Sequence, residues 1–223
     1  MEILYVGPML HGSTTVQRAQ AFRDMGHRLL SVNTELGTET IVKPTIYSRI
    51  VRKITGPQDR VDANTCILDS LRTRRFDLLW IDKGLTIHAK TLEDVKKSYP
   101  NCLIVGFSPD DMLNPNNQSR HFLTGLSFYD FYVTTKSFNV SELRGLGCKN
   151  VLCIDKAYDP HTHRPLVLNE TDRQRLGGCV GFIGQWEAAR AKSLRALASA
   201  GVALRVWGYT WERMKNVPPG LII

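Results

Sequence analysis

The chain has 223 residues, 43% of them hydrophobic, which is enough to bury a real core and to build one large domain or one and a half. No apolar run approaches the roughly 18 residues of a membrane span, and the first residues have neither the basic start nor the apolar stretch of a secretory signal, so a cytoplasmic protein is expected. The net charge of +8 suits phosphate-rich partners. Its basic residues are not interleaved with aromatics and no reading-head motif is present, so specific nucleic-acid binding is not expected.

Glu2 to Gly7, EILYVG, is a short apolar run broken by Gly-Pro, the pattern of a parallel strand buried on both faces. Gly7, Pro8 and Gly12 form a loop, and the hydroxyl residues Ser13, Thr14 and Thr15 then open a helix running to Met25. On a helical wheel Thr15, Ala19, Ala21, Phe22 and Met25 share one side, and Arg18 falls among them. Arg18 also stands in the first turn, where the helix dipole disfavours a cation. Either an anion bound at the helix N-terminus or an internal carboxylate partner accounts for it.

Leu29 to Asn33 reads as a second strand. From Ile41 to Arg75 there are eight Lys and Arg against three Asp. That basic region, residues 41–75, reads first as a solvated face, and a weak contact with an anionic membrane surface is the alternative, which would make the protein peripheral at the inner face of the membrane. Val61 to Arg75 is a predicted helix, Phe76 to Ile81 a strand ending in Asp82-Lys83-Gly84, and Thr91 to Tyr99 a helix. Cys102 to Phe107 is a strand leading into Ser108-Pro109-Asp110-Asp111, and the polar stretch Asn114 to Arg120 is too rich in Asn for a helix. Phe131 to Thr134 and Val151 to Asp155 are strands around a helix from Ser137 to Leu146.

This alternation predicts an α/β fold with a doubly wound parallel sheet, whose ligands sit beyond the carboxyl ends of the strands. His11, Ser13, Asp82, Lys83, Asp110, Asp111 and Lys136 gather at those ends. Asp110 and Asp111 are either turn formers or functional carboxylates. Pro160 to Gly178 is polar and reads as a linker, with His161 and His163 part of it rather than a metal site. Val180 to Gly184 then repeats the opening pattern of strand, loop and helix, with Trp186 to Ala200 helical and Ala203 to Trp207 a strand. Arg190 follows Gly184 at the spacing at which Arg18 follows Gly12, and the wheel sets it between Leu194 and Leu197. Leu221-Ile222-Ile223 looks like the opening of another strand. One such unit of about 45 residues cannot bury enough surface to stand alone, so the chain is expected to be the first part of a longer two-domain protein, or the unit to dock on a partner. The five cysteines include no C-x-x-C pair and read as buried thiols without a zinc site.

G-x-G-x-x-G is absent, and GPMLHGST (7 to 14) fits the P-loop spacing except that Ser13 replaces the lysine, so neither a dinucleotide dehydrogenase nor an ATPase is expected. GPMLHGSTTVQRAQAFRDMGH resembles the opening of the two-domain, GT-B glycosyltransferases. YDFYVTTKSFNVSELRGLGCKNVLCIDKAYDP (129 to 160), GFIGQWEAARAKSLRAL (181 to 197) and WGYTWER (207 to 213) are similar to the spore-maturation-protein type within that group. The resemblance implies a Rossmann-like acceptor-side domain over 1–165, a linker over 166–178 and the start of a nucleotide-sugar-binding domain over 179–223. It implies a metal-independent glycosyltransferase with no cofactor, taking a UDP- or GDP-sugar as donor and a glycan, glycolipid or protein as acceptor, with an oligomer left open. By the same resemblance Gly184, Arg190, Gly208 and Tyr209 would meet the donor diphosphate. Gly12, Ser13, Arg18, Asp82 and Lys83 would line the facing loop. An inverting reaction would need a base, for which Asp110, Asp111 and His11 are the candidates. The acidic ribose-binding region that the group carries would lie beyond Ile223, so donor binding by these residues alone is expected to be crippled or absent. A non-catalytic nucleotide-binding scaffold and an epimerase-like enzyme on a similar fold are the rival readings.

Overall fold

The computed structural model describes residues 1–36, 56–115 and 117–223, and the chain divides into two units, Met1–His163 and Arg164–Ile223. Much of the basic stretch from 41 to 75 lies outside the described residues.

The first unit is a six-stranded sheet in the order β2-β1-β3-β4-β5-β6, every neighbouring pair parallel. Its strands are β1 (Glu2–Gly7), β2 (Arg28–Asn33), β3 (Leu78–Asp82), β4 (Leu103–Ser108), β5 (Phe131–Thr134) and β6 (Val151–Cys153). The helices between them are α1 (Thr14–Asp24), α2 (Ala63–Thr73), α3 (Ala89–Ser98), α4 (Arg120–Gly125) and α5 (Asn139–Gly145). Side chains alternate across the sheet as strand geometry requires. Ile3, Tyr5, Leu78, Val105, Phe107 and Val133 pack with Ala19 and Phe22 of α1 on one face. Leu4, Val6, Leu79, Ile81 and Ile104 pack on the other with Ile67, Leu92, Val95, Phe122 and Leu143, which come from α2 to α5. Helices thus cover both faces, as a doubly wound sheet requires. β2, at the edge, buries only Val32.

α4 was not expected from the polar run that precedes it. Ser119 starts it, its Oγ accepting the Phe122 N–H at 3.0 Å, so the Asn-rich segment ends in a helix cap. On α1 the wheel holds for Thr15 and Ala19, both buried, but Ala21 and Met25 are exposed.

The second unit is a three-stranded parallel sheet, β7 (Val180–Ile183), β8 (Leu204–Trp207) and β9 (Leu221–Ile222), with α7 (Ala188–Ser199) in the crossover. The polar segment expected to be a linker holds a further helix, α6 (Glu170–Leu176). Asn169 caps it by accepting the Asp172 N–H at 2.8 Å. At its other end Arg205 of β8 donates to the carbonyls of Gln174 at 2.9 Å and Arg175 at 2.5 Å, a cation on the negative helix terminus. α6 buries no residue, so it has no apolar stripe for a sequence pattern to reveal. The small core holds Ala191, Leu194 and Ala198 of α7 with Leu204, Val206, Trp211, Met214 and Leu221. Leu197 is exposed, so the apolar stripe of α7 runs one step away from the expected one and Arg190 lies on its flank.

The cysteines correct a second expectation. Cys102 and Cys148 are buried, whereas Cys66, Cys153 and Cys179 are exposed. An apolar sequence neighbourhood does not say which way one residue in it points. Burial pushes the Cys102 thiol up to about 11 and the Cys148 thiol upward as well. A thiol reagent at neutral pH is therefore expected to modify Cys66, Cys153 and Cys179 quickly and to reach Cys102 and Cys148 only on unfolding, as read by mass spectrometry of tryptic peptides.

Candidate functional site

In an open parallel sheet the strand order reverses between β1 and β3, and ligands favour the crevice beyond the carboxyl ends there. β1 ends at Gly7 and β3 at Asp82, and the two ends touch. A Cβ on Gly7 would lie 2.8 Å from Asp82 Cβ and 2.9 Å from Thr15 Cγ2, so only glycine lets the loop turn over β3. Asn33, at the end of β2, accepts the Met9 N–H at 2.9 Å and holds the next part of that loop. His11 and Gly12 then form an exposed turn, Gly12 with φ of 74°, and Ser13 Oγ caps α1 through the Val16 N–H at 3.3 Å.

Within this closed end Asp82 is 3% exposed and carries three charge-assisted or short hydrogen bonds. Arg18 Nε donates to Oδ2 at 3.0 Å and Nη2 to Oδ1 at 2.9 Å, the two-pronged geometry of a guanidinium on a carboxylate. The Tyr5 hydroxyl has one proton and two acceptors in reach, Asp82 Oδ2 at 2.5 Å and the Thr15 carbonyl at 3.1 Å. The charged oxygen takes it. Burial first, and then the Asp82 charge, push the Tyr5 phenol well above its ordinary range. The Arg18 plane lies over the Phe107 ring, 4.3 Å from its centre. Of the two readings of Arg18, the structure shows the internal carboxylate.

The neighbouring strand ends carry a second pair. Lys83, in a left-handed conformation with φ of 68°, sets its ammonium 2.7 Å from Asp110 Oδ2, which links the ends of β3 and β4 at the surface. Asp111 is turned away into local structure. Its Oδ1 accepts the Leu113 N–H at 3.1 Å and the Asn139 Nδ2–H at 2.9 Å. The Asn139 amide holds the Asp111 carboxyl below the usual range. Asn139, fully buried, also accepts the Met112 N–H, so Asp111 shapes the turn after β4.

In the second unit Gly184, Arg190, Gly208 and Tyr209 come together at the carboxyl ends of β7 and β8. Gly208 has φ of 145°, and a Cβ on it would meet the Gly184 carbonyl oxygen at 2.0 Å, so two backbones touch where side chains would stand. Trp211 Nε1 donates to that same Gly184 carbonyl at 2.7 Å, and the Trp186 N–H to the Tyr209 carbonyl at 3.0 Å. The Tyr209 side chain is 84% exposed. Arg190 donates to the Gln185 carbonyl at 3.0 Å and approaches Glu187 at 3.2 Å, with its side chain 42% exposed. The arginines at matching spacings thus do different work: Arg18 bonds from α1 to the end of β3, and Arg190 ties down the loop before its own helix. Unlike α1, α7 has no side-chain cap, so its first-turn N–H groups are open to an acceptor.

Tyr5, Phe107, Asn139, Trp186 and Trp211 were not foreseen as members of these clusters from the sequence. Tyr5 is the only signal among them that could have been read, as an aromatic hydroxyl inside an aliphatic strand. Among the described residues no group of three or more His, Cys, Asp or Glu side chains converges as a metal site, and no helix is long and apolar enough to cross a membrane. His161 Nε2 lies 2.8 Å from Asp24 Oδ2, and His163 Nδ1 accepts the Asp159 N–H at 3.0 Å. No protein-family model matches the chain, and no curated protein matches it in sequence.

Replacing Gly7 by Ala is expected to destabilise the protein by about 1–3 kcal/mol, because the new methyl presses on two buried neighbours that cannot retreat. Urea unfolding should show a lower midpoint for Gly7→Ala at an unchanged slope.

Proposed function

We propose that the protein is a glycosyltransferase of the two-domain kind, moving a sugar from a UDP- or GDP-sugar to a glycan, glycolipid or protein acceptor. The observation that carries this reading is the loop cluster of the second unit. Gly184 and Gly208 leave the mouth of the loop without side chains, and α7 presents uncapped N–H groups beside it. An open helix N-terminus behind a glycine-lined loop is suited to a diphosphate. Departure of a nucleoside diphosphate from an oxocarbenium-like sugar needs stabilisation of negative charge. Oriented N–H groups and Arg190 would supply it, with the guanidinium leaving Glu187 for the phosphate. Tyr209, exposed at the same loop, is available to the rest of the donor.

The first unit would serve the acceptor. An inverting reaction would use Asp110 or His11 as base; Asp111 suits this less, since its carboxyl is engaged by Asn139. Asp110 already pairs with Lys83, whose ammonium is a counter-charge at the same edge. One observation favours a second reading, a nucleotide-binding module without transfer: Arg190 and Asp110 are each paired within the protein.

The test is a panel of UDP-, GDP- and ADP-sugars with release of the nucleoside diphosphate and transfer of labelled sugar as readouts. Under the transferase reading one donor is turned over, and Arg190→Ala lowers kcat/KM at least tenfold, about 1.4 kcal/mol of transition-state stabilisation. Wild-type turnover in that variant would remove Arg190 from the mechanism, and binding without turnover of any donor would favour the second reading. A nucleoside diphosphate at 100 times its Kd should raise stability by about 2.7 kcal/mol, seen as a higher melting temperature that Arg190→Ala loses.

A further inference from the structure

The second unit holds a groove of about 450 Å³ lined by Trp186, three alanine and lysine positions of α7, Arg195, Arg213, Met214, Lys215 and Asn216. Ala188, Ala191, Lys192 and Arg195 fall on one stripe of α7, and residues 213 to 216 form the facing wall. Arg195 Nη2 donates to the Lys215 carbonyl at 2.7 Å and fixes the two walls together at one point. Gly184, Gly208 and Tyr209 do not line this groove.

Four cationic side chains, those of Lys192, Arg195, Arg213 and Lys215, therefore border a space of small-molecule size, and no carboxylate lines it. Among the described residues none of the four stands in an ion pair, whereas Arg18 and Lys83 of the first unit are paired with Asp82 and Asp110. Like charges brought to one groove repel unless a counter-ion enters. Trp186 supplies a second, unrelated observation. Its indole N–H is buried with no hydrogen-bond partner among the described residues, and the Arg213 guanidinium lies 6.0 Å from the centre of its ring. A buried donor without an acceptor is destabilising, and the Arg213 guanidinium beside that ring sets one cation at the groove wall.

We propose that this groove is a binding site for a phosphate-bearing ligand, held by Lys192, Arg195, Arg213 and Lys215. The guanidinium forks of Arg195 and Arg213 match phosphate oxygens, and the two ammonium groups add point charge. The size of the space fits a phosphate ester or the headgroup of an anionic lipid. It is too small to hold a nucleic-acid duplex or a folded partner. This inference does not rest on the glycosyltransferase reading.

The test titrates the full chain calorimetrically with sodium pyrophosphate at fixed ionic strength, and separately with phosphatidylglycerol–phosphatidylcholine vesicles and with phosphatidylcholine vesicles. The variants are Lys192→Gln/Lys215→Gln, both at exposed positions, and the control Lys149→Gln on the first unit. Circular dichroism establishes that each is folded, and Arg213→Lys tests whether charge without the fork is enough. The proposal expects binding to weaken at least tenfold in the double variant, by less in Arg213→Lys, and to be unchanged in Lys149→Gln. Binding of pyrophosphate marks a soluble phosphate ester as the ligand, and binding of phosphatidylglycerol vesicles alone marks a lipid headgroup. The proposal is overturned if neither probe binds, or if the double variant binds as the wild type does. It is equally overturned if polyglutamate binds as tightly with the same loss, since that is charge without phosphate recognition. Pyrophosphate binding lost in Arg190→Ala but kept in the double variant would move the anion to the Gly184 loop, which ends this proposal and leaves the functional reading standing.

Discussion

The point at the carboxyl edge of the first unit where the strand order reverses is held by one buried carboxylate. Asp82 ends β3 at the strand-order reversal, almost without solvent, and an unpaired charge there would be strongly unfavourable. Arg18 and Tyr5 satisfy it from α1 and β1, and Gly7 makes the approach sterically allowed. Removing one member of such a pair leaves the other charge stranded, which is strongly destabilising. The consequence for function is that the crevice where an open sheet ordinarily takes its ligand is filled by the protein's own ion pair. Among the described residues of this unit, His11 and Gly12 at the loop tip and the Lys83–Asp110 pair stand at the rim.

The second unit solves the same local problem without a buried charge. Two glycine backbones meet at the ends of β7 and β8, and Trp211 caps the shared carbonyl from the far side. Beside this neutral, hydrogen-bonded backbone junction the α7 N-terminus has no side-chain cap, whereas Ser13 caps that of α1. This contrast supports the division of labour we propose, acceptor on the first unit and diphosphate on the second.

The central strands were legible because burial on both faces writes them as continuous apolar runs, the run from Phe76 to Ile81 that holds most of β3 being the clearest. Arg18 was legible as a misplaced cation, but its partner was not, since Asp82 is 64 positions away and reads as an ordinary turn residue. Arg190 was the converse case. Its spacing matched that of Arg18, yet its partners are Gln185 and Glu187 beside it, because a wheel drawn around Leu194 and Leu197 misjudged which side of α7 faces the sheet. α4 and α6 escaped notice for a different reason. Both are short, and side-chain caps at Ser119 and Asn169 define them more than any apolar period. The Gly184–Gly208 junction is a contact between strands, which no local pattern encodes.

The central claim is that the diphosphate belongs to the second unit and that the first unit's crevice is closed to it. Amide hydrogen exchange on the full chain, with and without the tightest-binding nucleoside diphosphate, tests this directly. The account predicts slowed exchange in peptides spanning residues 184–191 and 207–211, with residues 7–18 unchanged. Protection confined to 7–18, with the Gly184 and Gly208 peptides unaffected, would contradict it.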